Sequence, residues 1–384
     1  MLDLGGGIAG AFCSRVLARL GADVIKVEPV GTGDFTRRWG GHKPGVARGE
    51  GGALHLYVDE GKRSVTLNPF VASGRSLMLR LFDHADVVVE NYEPSLLDQL
   101  DLHTNDLRET RPRLVFASIS SYGRTGPYKH FKGREVTVFA TGGHTYRTGH
   151  LGRPPVRMGG HPSQYLGALQ AAYAVLLAVR AAELQGVGQD VEFSTFENQV
   201  TSHAQAMVEV AYYGAETGAD LPRGSGEARR LMASDGPVMF SIMDQQLPAL
   251  VELVGAPSEF GQRDPSRRPG ASLEFQNYVK EWVRSKTQRE VYELGQAAKV
   301  PTSYSASPAD LLASPQYRWR QFFLKTDHPE AGTVEIPGMP FKWSGSDADP
   351  LPAPLLGQHN EEVYCGLLGL SLAELTRLYG SGVI

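Results

Sequence analysis

The period of the apolar positions changes along the chain, and each change marks an element. Met1 to Leu4 is a short apolar strand. Phe12, Val16, Leu17 and Leu20 recur at helical spacing, and Asp23 to Glu28 alternates with a period of two. Between strand and helix, Gly5, Gly7 and Gly10 stand at G-x-G-x-x-G spacing. This predicts strand, tight turn, helix, strand, with the helix lying close to the sheet. The backbone N–H groups of Gly7, Ile8, Ala9 and Gly10 would then face a phosphate site at the helix N-terminus. Gly21 is placed to close the helix.

The same alternation continues. Lys62 to Leu67, Ala85 to Glu90, Leu114 to Ile119 and Val191 to Ser194 read as strands. Ser76 to His84, Leu96 to Leu107, Gln164 to Leu184 and Glu197 to Tyr213 read as helices. Strands alternating with helices predict a mostly parallel, doubly wound α/β sheet. Ligands of such sheets bind beyond the strand carboxyl ends, which singles out Gly5–Gly10, Asn91 and Ser120–Tyr128. The polar stretch Gly214 to Arg230 is the expected domain boundary. Met232 to Ile242 and amphipathic helices over Gln245–Val254, Leu273–Ser285 and Gln288–Ala298 form the expected second domain. Shorter helices are expected over Ala309–Ser314 and Pro315–Phe323. The tail from His328 to Ser344 reads as a hairpin, and Leu355 to His359 leads into a last helix pair.

Composition narrows the class. With 384 residues, 41% hydrophobic and 21% charged, the chain is an ordinary globular protein of about two domains. A net charge of −4 argues against nucleic acid as a partner. Two cysteines, Cys13 and Cys365, make neither a disulfide scaffold nor a Cys-rich zinc site, which favours a cytoplasmic protein. No apolar run is expected to span a membrane, and the first strand beginning at Met1 suggests a truncated or misplaced start.

Seven stretches in order resemble one family. They are LARLGADVIKVEPVGTGDFTR, GKRSVTLN, ADVVVENYEPSLLDQLDL, RPRLVFASISSYGRTGPY, GHLGRPPVRMGG, GVGQDVEFSTFEN and LLGQHNEEVYCGLLGLSLAEL. The chain is similar to the family III CoA-transferases, the carnitine-CoA and formyl-CoA transferase group that includes the α-methylacyl-CoA racemases. The resemblance implies a Rossmann-like large domain whose parallel sheet is built from both chain ends (residues 1–214 and 326–384), with a smaller α+β domain over 215–325. It further implies two chains threaded like linked rings, as a homodimer or as a heterodimer with a related chain. Acyl-CoA and a small carboxylic acid would be substrates, with no metal.

The family's transferases use one Asp, four residues before the Gly of a long helix. It attacks the thioester, forms a mixed anhydride and then holds CoA as an aspartyl thioester. Here that position is Ser163, ahead of Gly167. A serine would form a stable ester, and its other reading is a cap on a helix beginning at Gln164. The racemases' G-H-D stretch is Gly133-Arg134-Glu135 here, so the racemase histidine is missing. Glu135 is then a candidate acid or base, or an ion-paired interface residue. His130, His144, His150 and His161 lie nearby, match no metal motif and read as loop histidines. For CoA the fitting residues are Arg37, Asn91, Lys132 and the amides of Gly7 to Gly10. Leu67-Asn68-Pro69-Phe70 stands where the family often has L-D-L-K, losing a lysine; Glu93 stands where a basic or neutral residue is usual and Gln99 where a basic one is frequent, and each exchange weakens phosphate attraction. Arg223-Gly224-Ser225-Gly226 stands where some relatives carry a mobile glycine loop; an ordinary linker is the other reading.

Three functions follow as expectations: a CoA-transferase, a non-catalytic partner subunit of a heteromeric one, and, from the glycines and Glu28 alone, a dinucleotide-dependent oxidoreductase.

Overall fold

The computed structural model describes residues 1–47, 49–148, 154–214, 227–262, 273–344 and 349–384. Its main element is a six-stranded parallel sheet: β1 (Leu2–Asp3), β2 (Ile25–Glu28), β3 (Arg63–Thr66), β4 (Val87–Glu90), β5 (Val115–Ser120) and β6 (Asp190–Ser194), ordered β3-β2-β1-β4-β5-β6. β1 pairs with both β2 and β4, Leu2 opposite Ile25 on one side and Val88 on the other. The strand order reverses there, which makes this the place where a ligand crevice opens in such sheets. β4 is buried along its whole length, as a strand covered on both faces must be.

Helices cover both faces. α1 (Gly7–Arg19) ends at Leu20, and Gly21 follows with φ +99°, the left-handed conformation a helix stop needs. Between β2 and β3 lie a 3₁₀ turn (Phe35–Arg38) and α2 (Ala53–Val58). α3 (Ala72–Phe82) buries Leu77, Met78, Leu81 and Phe82. The helix expected over Leu96–Leu107 is two, α4 (Pro94–Gln99) and α5 (Thr104–Thr110); Asp101, with φ 51°, breaks it. α6 (Glu135–Thr141) precedes α7 (Pro162–Gln185), which buries Ala168, Ala171, Ala172, Val175, Ala178 and Ala182 against Cys13, Val16 and Leu17 of α1. The expectation that no apolar run reaches spanning length fails here. α7 is long and apolar enough to cross a membrane, yet its alanine face packs on this core. The last expected helix of this half is also two, α8 (Thr195–Thr201) and α9 (Ala204–Tyr213).

The chain groups into two compact units, residues 1–219 with 321–384, and residues 220–320. In the first, a hairpin of β10 (Phe323–His328) and β11 (Gly332–Pro337) starts earlier than the sequence suggested, because the helix before it ends at Trp319. A π-helical segment (Glu361–Leu367) and α15 (Leu372–Gly380) then pack back on the sheet without adding a strand to it, so the expectation of a sheet built from both chain ends is not met: all six strands lie between Leu2 and Ser194. Val363, Tyr364, Leu375 and Ile384 join the core of Leu2, Ile25, Val65 and Val88, and the Tyr364 hydroxyl donates to the Thr66 carbonyl at 2.8 Å.

The second unit pairs β7 (Glu227–Met232), β8 (Pro237–Ile242) and β9 (Thr302–Tyr304) in an antiparallel sheet. Its core takes Leu250 and Val251 from α10 (Leu247–Leu253), Phe275, Val279 and Val283 from α11 (Leu273–Arg284) and Val291 from α12 (Gln288–Ala297). Short helices α13 (Pro308–Ala313) and α14 (Pro315–Trp319) complete it.

Candidate active site

A cleft of about 1260 Å³ opens at the carboxyl ends of β1, β4 and β5, within the first unit. Gly6, Gly7, Asn91, Ser120, Ser121, Lys132, Glu135 and Ser163 line it. The sheet topology therefore brings together most of the residues singled out in the sequence.

The glycine turn is built from inside. A Cβ on Gly5 would sit 2.7 Å from the Gly10 Cα, so both positions exclude side chains. Asn91 holds the turn, accepting the Gly6 N–H at 2.7 Å and donating to the Gly6 carbonyl at 2.6 Å. Lys26 donates to the Gly5 carbonyl at 2.9 Å, and Asp3 accepts the Gly5 N–H at 2.8 Å. Beneath the turn Lys62 pairs with Asp3 and Asp59, both at 2.8 Å. The two lysines hold the Asp3 carboxyl below its usual range against the burial that pushes it up.

The expectation that the Gly7–Gly10 amides face a phosphate is not met at Gly7, whose N–H is taken by the Asp34 carboxylate at 3.1 Å. The Phe35 ring lies against Gly7 as well, so close that a Cβ there would be 2.8 Å from it. Of the rest, only Ala9 lines the cleft; Ile8 and Gly10 are buried behind it. The neighbouring glycine, Gly6, part of the Gly5–Gly10 turn that the sequence singles out but not one of the amides assigned to a phosphate, also lines the cleft.

Arg37 is the clearest correction. It is fully buried, with its Nε 2.8 Å and Nη2 2.7 Å from the two Glu28 oxygens and Nη1 2.9 Å from Glu50. It lines no part of the cleft; Arg38 does. A 3₁₀ turn sets neighbouring side chains about 120° apart, which lets one arginine of the pair enter the core and the other the cleft. Lys132 does line the cleft, but its ammonium pairs with Glu93, the acid that stands in a usually basic or neutral position. Arg38, Lys129, Lys132, Arg134 and Arg157 line the cleft against Glu93 and Glu135, so its wall carries more positive than negative charge. Phe35, Trp39, Tyr122 and Phe131 add aromatic surface.

Glu135 begins α6 and is 8% exposed. Its Oε1 accepts the Ser163 N–H at 3.0 Å and its Oε2 the Gln164 N–H at 3.3 Å. It therefore caps the N-terminus of α7 from another element. The reading of Ser163 as that cap is overturned: the helix starts at Pro162, and the Ser163 Oγ is 1% exposed with no hydrogen-bond partner. Nothing among the described residues takes its proton.

Of the histidines, His161 lines the cleft beside the Trp39 ring, 4.8 Å between centroids. His130 also lines it, His144 bonds the Ser202 hydroxyl at 2.8 Å, and His150 lies outside the described residues. The Arg223–Gly226 stretch lies outside them too. A separate trio that the sequence did not suggest, Glu50, His55 and His328, gathers ligand-type atoms within 4.8 Å of one another. The Arg37 guanidinium, 3.1 Å from His55 Nε2, already supplies the positive charge there.

Residues 1–360 match the profile described as "CoA-transferase family III". The chain belongs to this family. Among curated family III relatives, the succinyl-CoA–D-citramalate CoA-transferase of Chloroflexus aurantiacus is 30% identical, over 100% of this chain and 96% of its own length. The formyl-CoA:oxalate CoA-transferase of Streptomyces coelicolor is 31% identical over 100% and 98%. The crystal structure of a CAIB/BAIF family protein from Brucella suis superposes with a TM-score of 0.81 at 27% identity, covering 95% of this chain and 97% of that one.

Proposed function

We propose that the protein moves CoA between an acyl-CoA and a carboxylic acid in the cytoplasm, without a metal. One observation carries this reading within the family. A cleft with basic and aromatic walls, suited to phosphates and an adenine, ends at a buried carboxylate on a helix N-terminus. Arg38, Lys129 and Lys132 are the cations we assign to the CoA phosphates, with Asn91 holding the turn beneath them. The relatives' names make succinyl-CoA and formyl-CoA the first donors to try. The test is label exchange by the purified chain: radiolabelled succinate should enter succinyl-CoA, or labelled formate formyl-CoA. Absence of both exchange and CoA binding would reject the proposal.

A second reading is favoured by Ser163. The chain would be the non-catalytic member of a pair whose other chain keeps the Asp. It predicts exchange only on co-expression with a related chain. In either case we propose a threaded dimer, which the exposed apolar Tyr173, Leu177 and Leu184 of α7 and Val208 of α9 support. Sedimentation at micromolar concentration should give two chains per particle; a monomer would contradict it.

A further inference from the structure

We infer that Glu135 is the acyl-carrying carboxylate of this chain, doing from α6 what the relatives' aspartate does from the start of the long helix. The inference rests on the transferase reading above and names the residue through which it works.

Three features support it. First, Glu135 and Glu93 are the two carboxylates lining the cleft, and Glu93 is held by Lys132. Second, the Glu135 carboxylate is brought to the backbone of residue 163 itself, with its oxygens on the Ser163 and Gln164 amides. A side-chain carboxylate is therefore held against the backbone of the residue where the relatives carry their aspartate. Third, the Ser163 Oγ is buried and unpartnered beside it, with no base to make it a nucleophile.

The geometry also supplies what the chemistry needs. In the first step a Glu135 oxygen attacks the thioester carbonyl. The C–S bond breaks, CoA leaves as thiolate and a glutamyl mixed anhydride remains. The thiolate then attacks the glutamyl carbonyl, the anhydride C–O bond breaks, and the donor acid leaves as carboxylate from a glutamyl thioester. The acceptor carboxylate attacks that thioester, releasing thiolate and forming the second anhydride. The thiolate attacks the acceptor's carbonyl, giving the new acyl-CoA and restoring the Glu135 carboxylate. No net proton or electron is exchanged. In the second and third steps negative charge develops on a Glu135 oxygen, where the two α7 amides donate. The same amides stabilise the resting carboxylate and so lower its nucleophilicity. Their benefit therefore falls on the steps at the glutamyl carbonyl rather than on the first attack.

The test is covalent trapping on the wild-type chain with succinyl-CoA and formyl-CoA, followed by hydroxylamine, trypsin and mass spectrometry. Cleavage after Arg134, Arg147, Arg157 and Arg180 separates Glu135 from Ser163. The expected result is a hydroxamate on the 135–147 peptide, dependent on acyl-CoA. E135Q should lower exchange at least about a thousandfold while CoA affinity stays within about threefold, since the amide still accepts at the helix end. Exchange with no hydroxamate on that peptide, an acyl ester on Ser163, or exchange surviving in E135Q would overturn the inference and leave the transferase reading standing. A wild-type chain with neither CoA binding nor exchange would overturn both.

Discussion

Asp34 accepts the Gly7 amide with both carboxylate oxygens, at 3.3 and 3.1 Å. It also accepts the Thr36 N–H at 2.9 Å and faces the Lys26 ammonium at 3.3 Å. The anion seat at the start of α1 is therefore filled by the protein's own carboxylate. A dinucleotide pyrophosphate would have to displace it from a buried lysine. Millimolar NAD(H) or NADP(H) should accordingly leave the melting temperature within about 1 °C of its unliganded value. A rise of several degrees would restore the oxidoreductase reading.

The two arginines of the Phe35–Arg38 turn should separate stability from binding. R37M leaves Glu28 and Glu50 without their cation, and the loss of one partner of a buried pair costs about 3–5 kcal/mol. R37K should lose much of the same, because lysine lacks the fork that spans both Glu28 oxygens. R38A should stay within about 0.5 kcal/mol of wild type in urea and bind CoA more weakly. Equal destabilisation by R37M and R38A would refute this division.

Lys132 and Glu93 pair at the cleft mouth, both side chains largely exposed. E93Q frees the ammonium for a phosphate. CoA binding should tighten up to about fivefold at low salt, and the gain should fade as salt rises. Unchanged affinity in E93Q at low salt would remove Lys132 from the CoA site.

Much of this fold is legible in the sequence because buried parallel strands and glycine turns leave local marks. The run Val87–Val89 of β4 is continuous and apolar, and the spacing of Gly5, Gly7 and Gly10 meets the close approach of backbone to backbone at Gly5 and Gly10. What stayed hidden depends on pairings distant in sequence. Arg37 and Arg38 are neighbours of the same type; Glu28 and Glu50 decide which one turns inward. Ser163 looks like a cap because it precedes a helix. The real cap is Glu135, 28 residues earlier, and no local pattern announces it. The break at Asp101 escaped notice because Leu96, Leu100 and Leu107 hold helical spacing across it, although Leu100 and Leu102 both face the core.

His328 links the C-terminal hairpin to pH. Its ring is 2% exposed, and its Nδ1 accepts the Glu330 and Ala331 amides at 3.2 and 3.1 Å. A protonated Nδ1 could accept neither. Burial pushes its pKa down to about 4, helped by His55 and the Arg37 guanidinium, while Glu50 lies on the same side and opposes them. The folded value is thus below the value of about 6.5 in an unfolded chain. Between the two, the unfolded state holds the extra proton, so stability rises with pH across that window. Above about pH 6.5 His328 costs nothing; as pH falls toward 4 its burial as a neutral ring becomes a penalty on the order of 1 kcal/mol or more. H328Q keeps an acceptor and cannot titrate. Wild type should therefore lose more stability than H328Q between pH 7 and pH 5, measured as the difference in urea midpoints. Parallel losses in the two proteins would mean that the His328 ring is charged, or free to become so, in the folded chain.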